Sequence, residues 1–186
     1  MANFEFKKLK AGDVIPAEIK ELYMTAFPPE ERRPWADIEA RVAADPAFNL
    51  FLLYHDDKCA GFITIWTLPG YTYVEHFAIF DEMRGKGLGS LTITALLDPD
   101  MRRSLNLSAD APLVLEVEPA EFSEQARKRI DFYRRCGMNI LQDFRYIQPP
   151  YHEGFPEVEL KLMASRPIEA PEELTRTLHT LIYNRK

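Results

Sequence analysis

"FAIFDEMRGKGLGSLTITALL", residues 77–97, runs from an apolar strand through a loop with glycine at every second position into an apolar helix. The spacing excludes two common nucleotide loops. A dinucleotide fingerprint requires G-x-G-x-x-G, whereas Gly85, Gly87 and Gly89 alternate as G-x-G-x-G. A P-loop requires G-x-x-x-x-G-K-[ST], but Gly87 follows Lys86, and neither Phe80 nor Asp81 supplies the leading glycine. What remains is the physics these loops share. Residues without a Cβ let the backbone approach an anion, and the N–H groups that open the next helix point at it. Arg84 and Lys86 add two positive charges, so the loop reads as a seat for a pyrophosphate.

Working outward, "FEFKKL" (4–9) alternates as a short strand, and "PAEIKELYMTAF" (16–27) reads as a helix opened by Pro16 and stopped by Pro28 and Pro29. "PWADIEARVAA" (34–44) is a second helix, with Trp35, Ile38 and Val42 at spacings of three and four. "FNLFLLYH" and "CAGFITIWTL" flank the turn signal "DDK", and "YTYVEHFAIF" (71–80) follows as a third consecutive strand. After the glycine loop and its helix come the strand "PLVLEVE" (112–118) and the helix "SEQARKRIDFYRRC" (123–136), capped by Ser123 and stopped at Gly137. Strand, helix, strand at this length implies a parallel pair with a right-handed crossover. Pro99 in "DPD" ends or bends the helix after the loop. "MNILQDFRYI" and "EVELKLM" close the sheet as two more strands. The expectation is a mixed α/β sheet of about seven strands. In the tail, Leu174, Leu178, Leu181 and Ile182 form one helical stripe, with acids at its start and Arg185 and Lys186 at its end. That stripe packs either on its own domain or on a second subunit, as in a homodimer.

The chain has 186 residues, 46% hydrophobic, enough for one domain with a substantial core. Residues 1–164 form that domain, and 165–186 extend it. A net charge of -6 speaks against a nucleic-acid binder. Cys59 and Cys136 have no framework spacing, and the histidines at 55, 76, 152 and 179 have no ligand spacing; no metal is expected. No apolar run is long enough to span a membrane, and "MANFEFKKLK" has no signal-peptide core. A cytoplasmic protein is expected.

The order of elements and the motifs together resemble the GNAT superfamily of N-acetyltransferases. "EHFAIFDEMRGKGLGS" is similar to its acetyl-CoA motif, [RQ]-x-x-G-x-[GA], here Arg84, Gly87 and Gly89, and "RIDFYRRCGM" is similar to its second motif. The resemblance implies a GNAT-like fold whose central parallel pair splays to admit the pantetheine arm. It implies acetyl-CoA as cosubstrate, its pyrophosphate seated on Arg84, Gly85, Lys86, Gly87, Leu88, Gly89 and Ser90. Many members carry an asparagine where this chain has "PAEFSEQ", so that contact is not carried over.

Transfer to an amine requires that an ammonium with a pKa of about 10.4 lose a proton, so a carboxylate base helps. Glu75 is the first candidate, as the resemblance to spermidine and spermine acetyltransferases implies, either as base or as electrostatic attractor. His76 ranks second, since adjacent strand residues face opposite sides. Backbone groups of Phe77, Ala78 and Ile79 are the expected donors to the thioester oxygen. Tyr133 is the expected acid toward the leaving thiolate; it shares an apolar helix face with Ala126 and Ile130. The loops "FPPEERRP" and "QPPYHEGFP", with Trp66, Tyr71 and Tyr73, are expected around the acceptor, where Glu30, Glu31 and Glu153 would attract a cation. The charged loops otherwise read as solvated faces, with Arg32 and Arg33 cancelling Glu30 and Glu31. The expected activity is acetylation of a primary amine on a small molecule or, alternatively, a peptide; a non-catalytic acyl-CoA sensor is the rival class.

Overall fold

The computed structural model describes residues 3–185, and Lys186 of the expected basic helix end lies outside them. The alternating stretches become β1 (Phe4–Lys8), β2 (Phe48–His55), β3 (Lys58–Leu68), β4 (Tyr71–Ile79) and β5 (Leu113–Val117). Helices α1 (Ala17–Ala26) and α2 (Trp35–Ala44) separate β1 from β2. The glycine loop opens α3 (Leu88–Leu97); α4 (Pro99–Ser104), α5 (Glu124–Arg135), β6 (Asn139–Ile140), β7 (Tyr146–Gln148), β8 (Val158–Ala164) and α6 (Pro171–Leu181) follow. The sheet order is β1-β2-β3-β4-β5-β8-β6, with β7 also on β8, and β4–β5 is the parallel pair among the described strands.

Local chemistry explains the boundaries. Asp56 and Asp57 both take positive φ, 48° and 63°, the tight geometry whose twist matches a hairpin. Asp98 closes α3 and caps α4 by accepting the Asp100 and Met101 N–H groups, because Pro99 cannot extend the first helix. Ser123 accepts the Ala126 N–H at 2.9 Å to open α5. The stretch expected as one strand over 138–147 is divided instead. Asp143 turns to φ 55°, so β6 pairs with Met163 and Ala164 while β7 resumes against Val158 to Leu160, giving eight strands.

Two apolar layers cover the sheet. On one face Ile19, Tyr23 and Ile38 of α1 and α2 pack with Leu174 and Leu178 of α6 against Leu50, Phe62 and Tyr73. On the other, Leu88, Ile93 and Leu96 of α3 pack with Ile130 and Tyr133 of α5 against Ile63, Ile65 and Leu115. Each fully buried side chain of this kind contributes about 1.5–3 kcal/mol. The α6 stripe thus lies on its own domain; Leu181 leaves it and is 41% exposed, and Ile182 and Tyr183 beyond the helix are buried.

Two irregularities in β4 shape the site. The β3–β4 register shifts between Thr64↔His76 and Ile65↔Val74, so Glu75 is an extra, unpaired residue in a bulge, and the Thr64 hydroxyl accepts the His76 N–H at 2.9 Å. Pairing with β5 runs only from Thr72↔Leu113 to Val74↔Leu115, while β4 continues to Ile79. The parallel pair therefore opens at the bulge. Arg33, on the connection between α1 and α2, pins this point: its Nε and Nη2 donate to Glu75 Oε1 at 3.1 and 2.7 Å, and both side chains are buried.

Breaking a buried, hydrogen-bonded ion pair strands a charge. Arg33→Met is expected to lower the unfolding free energy at pH 7 by about 3–5 kcal/mol, and adding Glu75→Gln to restore part of it. Glu75 is held below the ordinary carboxylate range, so the pair's contribution is present above the unfolded value of about 4.3 and fades as pH falls. Urea titrations at pH 7 and pH 3.5 check this; an unchanged midpoint at pH 7 would remove the pair from the stability account. Gly61 offers a second test, because a Cβ there would lie 2.1 Å from the Ala78 carbonyl oxygen. Gly61→Ala should cost about 1–3 kcal/mol, read in the same titration.

Candidate active site

A cleft of about 590 Å3 occupies the opening between β4 and β5. Its lining includes Arg84, Gly85, Gly87, Leu88, Gly89 and Ser90 at one end and Phe77, Ala78 and Ile79 in the middle. Glu75, His76 and Tyr133 also reach it. Within the glycine loop Lys86 does not, its Nζ lying 3.5 Å from the Met83 sulfur, and of the acids expected near the acceptor Glu30 and Glu153 do not either. Gly87 has φ 75°, the left-handed region that disfavours a side chain, and no side chain caps the helix it opens. The first N–H groups of α3 are thus left for an anion. Arg84 donates from Nε to the Ile79 carbonyl at 3.2 Å and pairs with exposed Asp81 at 2.8 Å.

The three expected backbone donors are not equivalent. Phe80 N–H bonds Ala60 O at 2.9 Å beyond the ladder, and antiparallel alternation then pairs Ala78 with Phe62 while Phe77 and Ile79 turn to the gap. The Ile79 carbonyl meeting Arg84 follows from the same alternation.

The bulge changes the expectation that Glu75 and His76 face opposite sides. Both lie on the α1 side. The His76 ring packs against Tyr23 and Phe27, with its Nε2 3.0 Å from the Glu31 carbonyl, and Tyr151 is near both residues. Glu75 is closely held: Oε1 accepts from Arg33 and, at 2.9 Å, from the Tyr151 hydroxyl, and Oε2 accepts from Trp66 Nε1 at 2.9 Å. Burial alone would raise its carboxyl. The Arg33 guanidinium, His76 and the hydrogen bonds outweigh that and hold it well below the usual range. So firmly ionised a carboxylate has little appetite for a proton.

A second carboxylate, absent from the sequence expectations, lines the cleft from β5. Glu116 is partly open to the cleft, and its oxygens accept from the Tyr146 hydroxyl and, at 2.9 Å, the Tyr183 hydroxyl. Burial pushes its carboxyl up; hydrogen bonds from Tyr146, Tyr183 and Tyr73 pull it down and Glu75 pushes it up again, leaving it at about 7. The signal was an acid inside the apolar run "LVLEV". Tyr133 is 9% exposed, its hydroxyl makes no hydrogen bond to any described residue, and burial pushes its phenol up to about 12.

The far end is walled by Phe27, Pro28 and Glu31 on one side and Gln148 and Tyr151 on the other. Burial raises the Glu31 carboxyl, and Glu118 raises it further; Glu118 itself pairs with Arg129 at 2.7 Å. Of the aromatics expected here, Trp66, Tyr71 and Tyr73 do not reach the cleft, and Arg33 is buried rather than a solvated partner of Glu30. Among the described residues no group of three or more metal-ligating side chains gathers, and no helix is long and apolar enough to cross a membrane.

Comparison with known proteins places this geometry. The model of the acetyltransferase (GNAT) family matches residues 17–138. No curated protein matches the chain. Among solved structures, a GNAT-family acetyltransferase from Bacteroides thetaiotaomicron is 34% identical, covers 91% of this chain and 92% of its own, and superposes with a TM-score of 0.78. Two more distant structures share the fold alone. A spermidine N-acetyltransferase chimera from Vibrio cholerae is 18% identical, with coverage of 86% and 93% and a TM-score of 0.59. A GNAT acetyltransferase from Elizabethkingia anophelis with acetyl-CoA bound is 15% identical, with coverage of 89% and 99% and a TM-score of 0.55. With the family's motifs on the lip and back wall of an opened parallel pair, the chain belongs to the GNAT family of acetyltransferases.

Proposed function

We propose that the chain transfers an acetyl group from acetyl-CoA to the primary amine of a small cationic molecule. The observation that carries this reading is the single cleft in which the glycine loop, the β4–β5 opening, Tyr133 and Glu116 meet. The thioester, when bound, supplies an electrophilic carbonyl and a thiolate leaving group. Residues 84–90 suit its pyrophosphate through the left-handed Gly87 and the uncapped start of α3, with Lys86 contributing charge from outside the lining. The Phe77 and Ile79 N–H groups, turned to the gap, are the donors for the carbonyl oxygen. Tyr133 keeps its proton at neutral pH and offers it to the departing sulfur.

Glu116 is the better base. At about 7 it is ionised in a useful fraction of molecules and still accepts a proton, whereas Glu75 is neutralised by Arg33 and serves to hold the bulge. Tyr146 donates to one Glu116 oxygen and Tyr183 to the other, and with Tyr73 as a third phenol the carboxylate's roughly four acceptor sites still leave one for the amine. Among the described residues neither Glu31 nor Glu116 makes a salt bridge: Arg33 pairs with Glu75, and Arg129, which also offsets Glu31 from a distance, pairs with Glu118. This charge attracts an ammonium and repels the carboxylate of a free amino acid. Tyr151, tied to Glu75 and Tyr183, is a fixed wall of the far end, which suits a small amine better than an extended peptide.

Thiol release from acetyl-CoA across polyamines, amino-acid amides, free amino acids, aminoglycosides and short peptides tests the reading. Turnover with a cationic small amine is expected; acetyl-CoA binding without turnover on any member would favour a sensor. With the best amine, kcat/KM should rise with pH through about 7. Glu116→Gln should lose that limb and about 10²–10⁴-fold in rate. Tyr133→Phe should bind acetyl-CoA with unchanged affinity by calorimetry but lose about 10²-fold or more in kcat. Wild-type turnover from either variant would remove that residue from the chemistry.

A further inference from the structure

We propose that Tyr183, in the segment after the last helix, is a positioning residue of the acceptor site: its hydroxyl holds the Glu116 carboxylate in place, which makes the C-terminal extension part of the catalytic apparatus. This rests on the reading of Glu116 as the base. Residue 183 lies outside the stretch that matches the family model, which ends at 138.

The geometry is specific. Tyr183 is 5% exposed, and its hydroxyl donates to Glu116 Oε2 at 2.9 Å while receiving the Tyr151 hydroxyl at 3.4 Å. Tyr151 donates its main hydrogen bond to Glu75 at 2.9 Å, so the two carboxylates are joined through a pair of phenols whose rings lie 4.9 Å apart. The neighbouring Ile182 carbonyl accepts Arg33 Nη2 at 2.9 Å, which ties the same stretch to the bulge. Leu178 in the last turn of α6, and Ile182 and Tyr183 just after it, are all part of the core, which fixes where the Tyr183 phenol sits.

The groups facing Glu116 come from four other elements. Tyr73 and Glu75 lie on β4, Tyr146 on β7, Tyr151 on the loop after it and Tyr183 after α6. Glu75 carries the charge, and Arg33 offsets it. Phenol donors are the main support for the ionised form of Glu116, and each is removable by one oxygen atom. Without the Tyr183 donor, burial prevails and the carboxylate keeps its proton to higher pH.

The test is a carbon-13 NMR titration of the full chain labelled at the glutamate side-chain carboxyl, with the Glu116 signal identified by its absence in Glu116→Gln. The wild-type midpoint should fall at about 7, and Tyr183→Phe, which keeps the ring and its packing, should move it up by about one pH unit. Thr175→Ala, on α6 but remote from Glu116, should leave it in place. If Tyr183→Phe does not fold, 3-fluorotyrosine replacing Tyr183 gives the opposite displacement, because its more acidic hydroxyl is the stronger donor. An unchanged midpoint in a folded Tyr183 variant overturns the proposal. Full turnover by Glu116→Gln alongside a displaced midpoint in Tyr183→Phe would instead retire Glu116 as base and leave the positioning contact standing.

Discussion

The buried pair between Arg33 and Glu75 is the constraint on which the rest of the site depends. Glu75 is the surplus residue of a bulge, and a bulge bends its strand and increases its twist. β4 leaves β5 at the residue before it. The opening that admits a substrate is thus produced by one extra residue, and that residue carries a charge which has no place in a sheet interior unless it is matched. Arg33 supplies the match, lying 5.4 Å from the Trp66 ring and 4.9 Å from the Tyr151 ring, and also meets the Ile182 carbonyl. One guanidinium joins the α1–α2 connection, the central strand, the β7–β8 loop and the chain's C-terminal end.

That arrangement separates two carboxylates that lie close to one another. Glu75 faces a cation and neutral donors and stays ionised; Glu116 is pushed toward neutrality by burial and by the neighbouring negative charge, against the hydrogen bonds of its phenols. The same low-dielectric interior produces both effects, since burial strengthens an ion pair and penalises an unpaired charge. Two acids driven apart in proton affinity are suited to different tasks, one structural and, in the proposed reaction, one chemical. The phenols between them carry the coupling, and Tyr183 brings the C-terminal segment into it.

The glycine loop works on different terms. It needs no buried charge: the left-handed Gly87, the uncapped start of α3 and the N–H groups of a strand without a partner on one side are backbone properties. This end of the cleft is set by geometry, and the acceptor end by side-chain electrostatics. A family can therefore keep the first while it varies the second.

The same division separates what the sequence determined from what the tertiary structure decided. Local patterns fixed the hairpin at Asp56 and Asp57, the cap at Ser123, the break at Pro99, the glycine loop and the face shared by Ala126, Ile130 and Tyr133, because each depends on neighbours within a few residues. The split of 138–147 into β6 and β7 escaped periodicity, since a shift of register against β8 leaves no local mark. The bulge at Glu75 escaped for the same reason, and strict alternation then separated Glu75 from His76. Arg33 in "EERRP" read as solvent-facing, and Glu116 in "LVLEVE" as part of a strand. A charge declares its role only through partners that lie 42 residues away for Arg33 and Glu75, and 67 for Glu116 and Tyr183. Sequence alone placed the backbone that suits the cofactor end, whereas folding decided which carboxylate is free to take a proton, because proton affinity is a property of the surroundings.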